Sequence, residues 1–227
     1  AWQVPKWRMP EVIKQDESIA RVGILASYKP VWAHPYFRSL TPMGFFNYGG
    51  FVAMQTLWAG PWMIKVAGYT PLEAATGLFW LNVSMLITFW LWGLYTPSLT
   101  KRGYSADKLM TYGVPLNFCV QTYIILAGAD AGALHWALFC VSSTFVALAQ
   151  PAVGMAFPAA VAGKALSAYN LVLFLGVFVV QWGMGLMIDG FKAQGFIEPQ
   201  AFQCAMAVYF ACCLASYGYF LKHKLDS

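Results

Sequence analysis

Charge is what this chain of 227 residues has least of: Asp, Glu, Lys and Arg together make up 10% of it, against about a quarter in an ordinary soluble domain. With 59% hydrophobic residues and a mean hydropathy of +0.57, the composition excludes a soluble globular domain and indicates a membrane protein. The formal net charge of +5 is spread over connecting loops and forms no single basic face, which argues against a nucleic-acid partner. Cys119, Cys140, Cys204, Cys212 and Cys213 lie in apolar runs without the paired spacing of a zinc site, so they read as small buried hydrophobes. His34, His135 and His223 are too dispersed for a metal cluster or for a nucleophile with its base. An intramembrane hydrolase could pair His135 with Ser142, two turns away on one face, but a His near a loop boundary is more often solvated. No Gly-rich phosphate loop and no GxSxG elbow occur. The expectation is a protein that is not an enzyme and that needs no cofactor and no metal.

What is present is a series of long uncharged runs. After Arg38, six stretches contain no Asp, Glu, Lys or Arg: 39–64, 74–100, 109–129, 131–163, 165–188 and 199–221. Each reaches the roughly 20 residues that a helix needs to cross the hydrocarbon core. The fold class is therefore all-α, a polytopic membrane protein with six transmembrane helices. Residues 1–36 form a polar arm, 37–222 the six-helix bundle and 223–227 a tail. The arm has no apolar segment of signal-peptide type; a short helix is expected from Ser18 to about Tyr28, with Pro30 and Pro35 punctuating it. In the fourth stretch Pro151 predicts a kink and the helix is expected to end near Phe157, with a turn at Gly163 and Lys164 starting the fifth.

Basic residues orient the bundle. With the amino terminus inside, twelve of the 14 Lys and Arg residues fall on the cytoplasmic side, and Lys65 and Lys192 alone fall outside. Both termini are then cytoplasmic, and the outer loops are 65–73, a turn near Asp130, and 189–198.

Polar side chains inside the spans are few and patterned. The chain is organised around Phe157–Phe191, where Asn170 and Gln181 lie eleven residues apart, about three turns, and so share a face. Amides facing hydrocarbon would lack hydrogen-bond partners, so this face is expected to meet a polar interior. In the first span Tyr48, Gln55 and Trp62 recur every seven residues, with Trp58 near Gln55 and Pro61 loosening the helix. They read as one wall of a polar pathway, or, for Trp62, as part of the interfacial aromatic belt. Asn82 near mid-depth of the second span serves either an interhelical bond or a ligand. Ser143, Ala147, Gln150 and Gly154 form a stripe that is either a cavity wall or a close helix contact. Asn117 and Gln121 in the third span, and Gln203, Tyr209 and Ser216 in the sixth, are weaker candidates. No acidic residue sits at mid-depth of a span: Glu73, Asp130 and Asp189 all fall at outer ends.

These features resemble the carboxy-terminal six-helix half of a major facilitator superfamily transporter, preceded by part of its central cytoplasmic loop. The resemblance covers almost the whole chain. It rests on the basic arm leading into NYGGFVAMQTLWAGPWM (47–63), the loop GLYTPSLTKRGYSADKL (93–109), PAVGMAFP (151–158), and GKALSAYNLVLFLGVFVVQWGMGLMIDGF (163–191). In the loop, Gly93, Lys101, Arg102 and Gly103 match the family pattern, while Pro97 stands about where that pattern has Asp. The resemblance implies a secondary transporter of a small organic solute in which two six-helix bundles rock about a midplane site. It also implies that the first, second, fourth and fifth spans line the pathway, an amino-terminal half completes it, and Gly93, Lys101, Arg102 and Gly103 act in gating. Gln55, Trp58, Asn82, Gln150, Asn170 and Gln181 are the expected lining, with Asn170 nearer the cytoplasmic end. Any central proton-coupling carboxylate would belong to the amino-terminal half. The expected surroundings are a lipid bilayer, of the bacterial cytoplasmic membrane. The alternative is a self-contained six-span protein acting as a homodimeric transporter or scaffold.

Overall fold

Proline and glycine set where the helices begin and end. The computed structural model describes residues 24–225, and within them all regular structure is helical. Lys6, Arg8, Lys14, Arg21, most of the arm and the start of its expected helix at Ser18 lie outside the described residues. What is described of the arm is α1 (Ile24–Ala33), which continues through Pro30. His34 then stands in an extended conformation, and Pro35 opens α2 (Pro35–Met43) at a position where its missing N–H costs nothing.

From Pro35 the chain runs as one helical rod to Lys65. Its segments are α2, a π turn (Gly44–Gly49), α3 (Gly50–Ala53), a second π turn (Met54–Trp58) and α4 (Ala59–Lys65). In the second π turn the Ala59 N–H reaches back five residues to the Met54 carbonyl. Pro61 follows directly and can donate no ladder bond, so the loosening expected near Pro61 is realised one turn earlier.

The remaining helices are α5 (Pro71–Lys101), α6 (Ala106–Ala127), α7 (Ala133–Ser143), α8 (Ala149–Met155), α9 (Ala159–Ala193) and α10 (Glu198–Leu225). Among the described residues, five helical stretches are long and apolar enough to cross a bilayer: α5, Ala106–Asp130, Ala133–Met155, α9 and Glu198–His223. The rod before them is of similar length but carries Asn47, Tyr48 and Gln55, and it does not reach that apolarity. The chain is thus an integral membrane protein with five candidate spans on composition.

Local chemistry explains the ends. Thr70 caps α5 in a reciprocal box with Glu73. At the other end the Gly103 N–H bonds the Thr100 carbonyl and the Tyr104 N–H the Leu99 carbonyl, a Schellman closure that needs the left-handed φ of +83° at Gly103. Ser105 then caps α6 by accepting from the Lys108 N–H. Between α7 and α8 the helix tightens into a 3-10 segment (Thr144–Leu148), placing the predicted kink just before Pro151. The fifth helix starts earlier than expected. Pro158, with φ −55° and ψ 146°, forms the turn and its carbonyl accepts from Val161 and Ala162, so Gly163 and Lys164 lie inside α9. At its far end α9 continues to Ala193, so Asp189 is a helical residue and not part of an outer loop.

Two helices meet backbone to backbone. The first π turn packs on α9, where a side chain at Gly49 would come 2.7 Å from the Leu173 carbonyl oxygen and 2.9 Å from Gly176 Cα. A side chain at Gly176 would run into the Phe45 carbonyl. Behind this crossing, α6 and α10 carry a buried polar layer. Asn47 Nδ2 donates to Ser216 Oγ at 2.8 Å, Asn117 Nδ2 to Ser143 Oγ at 2.8 Å, and Gln203 Nε2 to the Ile125 carbonyl at 2.7 Å. At one rim, Lys65 and Lys192 both reach Glu198, at 2.9 and 3.5 Å. The two cations assigned to the outside thus share one carboxylate that joins α4, α9 and α10.

Candidate functional site

The six residues expected to line a pathway come together in two groups, each bridging helices. In the first, Gln55 Nε2 donates to Asn82 Oδ1 at 2.8 Å, linking the second π turn to α5. Beside it, Gln181 Nε2 donates to Thr56 Oγ1 at 3.0 Å, and the Trp58 indole N–H donates to the Gln181 carbonyl at 3.2 Å. The rod therefore holds α5 on one side and α9 on the other through consecutive residues. The second group is Gln150 of α8 and Asn170 of α9, joined by a 2.7 Å bond from Gln150 Nε2 to Asn170 Oδ1. Eleven residues of α9 separate the groups, about 16 Å along the axis.

These amides are not core. Asn82 is exposed, and Gln55, Trp58, Gln150, Asn170 and Gln181 are half-buried. Each pair uses one amide donor of a glutamine. The carbonyl oxygens Gln55 Oε1, Gln150 Oε1 and Gln181 Oε1 have no hydrogen-bond partner among the described residues. A partly satisfied amide on an open face can take a further donor from a solute without breaking the helix contact it already makes. This face is also where large apolar side chains stand uncovered, among them Leu57, Phe178 and Trp182.

Other sequence expectations resolve differently. Trp62 belongs neither to a pathway nor to an aromatic belt: it is 1% exposed, donates to the Ala131 carbonyl at 3.1 Å and packs edge-on to Trp136. The π turn adds a residue to the bonded ring, so a seven-residue spacing across it no longer returns to one face. The Ser143–Gly154 stripe is likewise split, because a five-residue 3-10 segment rotates the chain by about 100° more than an α-helix would. Ser143 turns to Asn117 of α6, whereas Gln150 turns to Asn170 of α9. Asn117 and Gln121 bond one another within a buried cluster, and Ser142 bonds the Leu138 carbonyl while His135 stacks on Tyr123. No group of metal-ligating residues occurs among the described residues.

The loop residues Gly93, Lys101, Arg102 and Gly103 are not brought to the amides. They lie at the far end of α5, where Pro97 leaves the Gly93 carbonyl without its usual helical donor. Lys101, Pro97, Trp92 and Pro151 border a cleft of about 590 Å³ there, between the interrupted part of α5 and the 3-10 segment. Thr56, which completes the Gln181 contact, went unrecognised because a Thr inside a span more often bonds its own helix, as it also does here to the Val52 carbonyl.

The helices have the fold of half of a known membrane transporter. A solved structure shares that fold: a bacterial homologue of the human lysosomal transporter Spinster, in an inward-facing and unoccupied conformation. It aligns with a TM-score of 0.62 at 13% identity, over 99% of this chain and 53% of that one. The chain thus spans about half the length of that transporter, and at this identity the likeness is one of fold. No protein-family model and no curated protein matches the sequence.

Proposed function

We propose that the chain is the carboxy-terminal half of a secondary transporter that moves a small organic solute across a bacterial cytoplasmic membrane by alternating access. In this reading the Pro35–Lys65 rod is the first of six spans, both termini are cytoplasmic, and an amino-terminal six-helix half covers the open face. The observation that carries the proposal is the set of half-satisfied amides, Gln55–Asn82, Gln181–Thr56 and Gln150–Asn170, bridging four helices on an uncovered face. Amides in contact with lipid would leave three carbonyl oxygens unpaired, whereas a solute pathway hydrates or binds them. Twelve of 14 basic residues on one side supports the orientation. Gly93, Lys101, Arg102 and Gly103 would act in gating at the cytoplasmic end, through the loosened stretch around Pro97.

The test uses the whole gene product in native membranes with a membrane-impermeant thiol reagent. Gln181→Cys and Gln55→Cys are expected to react from the aqueous phase, while Leu116→Cys, exposed on α6, remains protected by lipid. Reaction at Gln181→Cys no faster than at Leu116→Cys would reject a solvated pathway. An intact mass equal to this chain, with transport by a homodimer, would replace the half-transporter reading by a self-contained one.

A further inference from the structure

We infer that the open face carries a binding site for a small organic cation with an apolar body, built around Asp189. The site is a cleft of about 400 Å³ between the rod and α9, bordered by Leu57, Phe178, Gln181, Trp182, Gly185 and Asp189. Its walls are apolar and aromatic: Leu57, Phe178 and Trp182 are 47%, 64% and 62% exposed. Beneath it, Gly185 lies over the Trp58 indole, whose ring atoms would be 3.6 Å from a side chain placed there.

The charge in the cleft is of one sign. Asp189 lies two turns beyond Trp182 on α9, and its carboxylate has no hydrogen bond or ion pair among the described residues. Lys192, three residues on, is the cation helical spacing would offer it. The structure instead directs Lys192 to Glu198, where Lys65 joins it. An unpaired carboxylate two turns from a tryptophan face attracts an ammonium or phosphonium group by charge and by the ring quadrupole, and Phe178 at the far end of the cleft can cover the ligand's apolar body. The Gln181 carbonyl oxygen adds an acceptor for an N–H of the same ligand. An anion of the same shape would find the same apolar walls but be repelled by the carboxylate. As a statement of substrate class this rests on the transporter reading; the binding site itself does not.

The experiment measures equilibrium binding of tetraphenylphosphonium to the whole gene product in nanodiscs of neutral phosphatidylcholine, with tetraphenylborate as the probe of equal shape and opposite charge. Saturable tetraphenylphosphonium binding is expected, weakened about tenfold by Asp189→Asn and several-fold by Trp182→Leu, and retained in Asp189→Glu. An unchanged thermal midpoint for Asp189→Asn assigns the loss to the charge, not to folding. Equal binding of tetraphenylborate, or binding indifferent to Asp189→Asn, overturns the site, as it would if the cleft were filled by the other half of the transporter. If Gln181→Cys is water-reactive while cation binding fails, the site falls and the transporter reading stands. Asp189-dependent binding with a Gln181→Cys that stays protected gives the converse.

Discussion

In the back layer, Asn47, Asn117 and Gln121 are at most 5% exposed, and the two N–H groups of Asn117 Nδ2 are shared among two serine hydroxyls and a backbone carbonyl. On the open face, Gln55, Gln150 and Gln181 each make a single side-chain bond across helices and keep an oxygen free. The residue types are the same and the bonding of Asn117 differs from theirs, while Gln121 bonds only Asn117 and keeps a buried Oε1 without a partner among the described residues. A buried amide is expensive unless its donors and acceptors are matched, so the back layer uses amides as fasteners between α6 and α7 and between the rod and α10. A half-satisfied amide costs least where another polar group can reach it, and the open-face amides, unlike the buried Gln121, are placed so that a solute or water can.

This contrast requires the rod and α9 to stay in backbone contact, since their crossing separates the two layers. Gly176→Leu is the substitution most damaging to it, because its side chain would enter the Phe45 carbonyl with only main chain to yield. Overpacking of this kind costs about 3 kcal/mol or more. The expected outcome is loss of monodisperse protein on purification, or a thermal midpoint lowered by many degrees. A normal yield and midpoint would mean that the two helices do not meet there and that the two layers are not distinct.

The contrast is sharpened by removing one amide from each layer. Asn117→Leu leaves the buried Gln121 amide without its partner, while Ser142 and Ser143 keep their bonds to backbone carbonyls, and should lower stability by about 1–2 kcal/mol. Gln150→Leu frees only Asn170 at a half-buried position, so its stability cost should stay below about 0.5 kcal/mol while solute flux falls. Thermal unfolding in detergent and uptake into proteoliposomes read the two effects separately. Equal stability losses would make Gln150 another fastener, and the open face would lose its distinction.

Much of the helical organisation could be read from charge-free runs and from prolines, because a bilayer-crossing helix needs length and apolarity and little else. That Gln55, Trp58, Asn82 and Gln181, and Gln150 with Asn170, bridge helices was also legible, since amides are rare in apolar helices and their spacing shows which share a face. Spacing failed wherever the helix was not α: Trp62 left the predicted face across a π turn, and Ser143 parted from Gln150 across a 3-10 segment. Nothing in local composition marks those turns. Gly163 misled for another reason, as a glycine beside a lysine suggests a turn, whereas the preceding Pro158 had already started the helix. Pairings between distant residues, such as Lys65 and Lys192 with Glu198, depend on how helix ends converge and carry no sequence signal.

That ion trio marks a third use of polar groups, at the rim, and should show the weakest effect. Glu198 bonds Lys65 at 2.9 Å and Lys192 at 3.5 Å, with side chains 36–47% exposed, so solvent screens both attractions. Glu198→Gln removes both at once and leaves two lysines facing each other, whereas Lys192→Gln removes one and leaves the shorter bond. The first should therefore lower the thermal midpoint slightly more than the second. Both shifts should disappear in 1 M salt, where the screening length is about 3 Å. The changes caused by Asn117→Leu and Gly176→Leu should persist at that salt, because they arise from hydrogen bonding and packing out of reach of mobile ions. If the rim shift were as large as that of Asn117→Leu and insensitive to salt, Glu198 would have to be shielded from water, and the rim would belong with the buried layer.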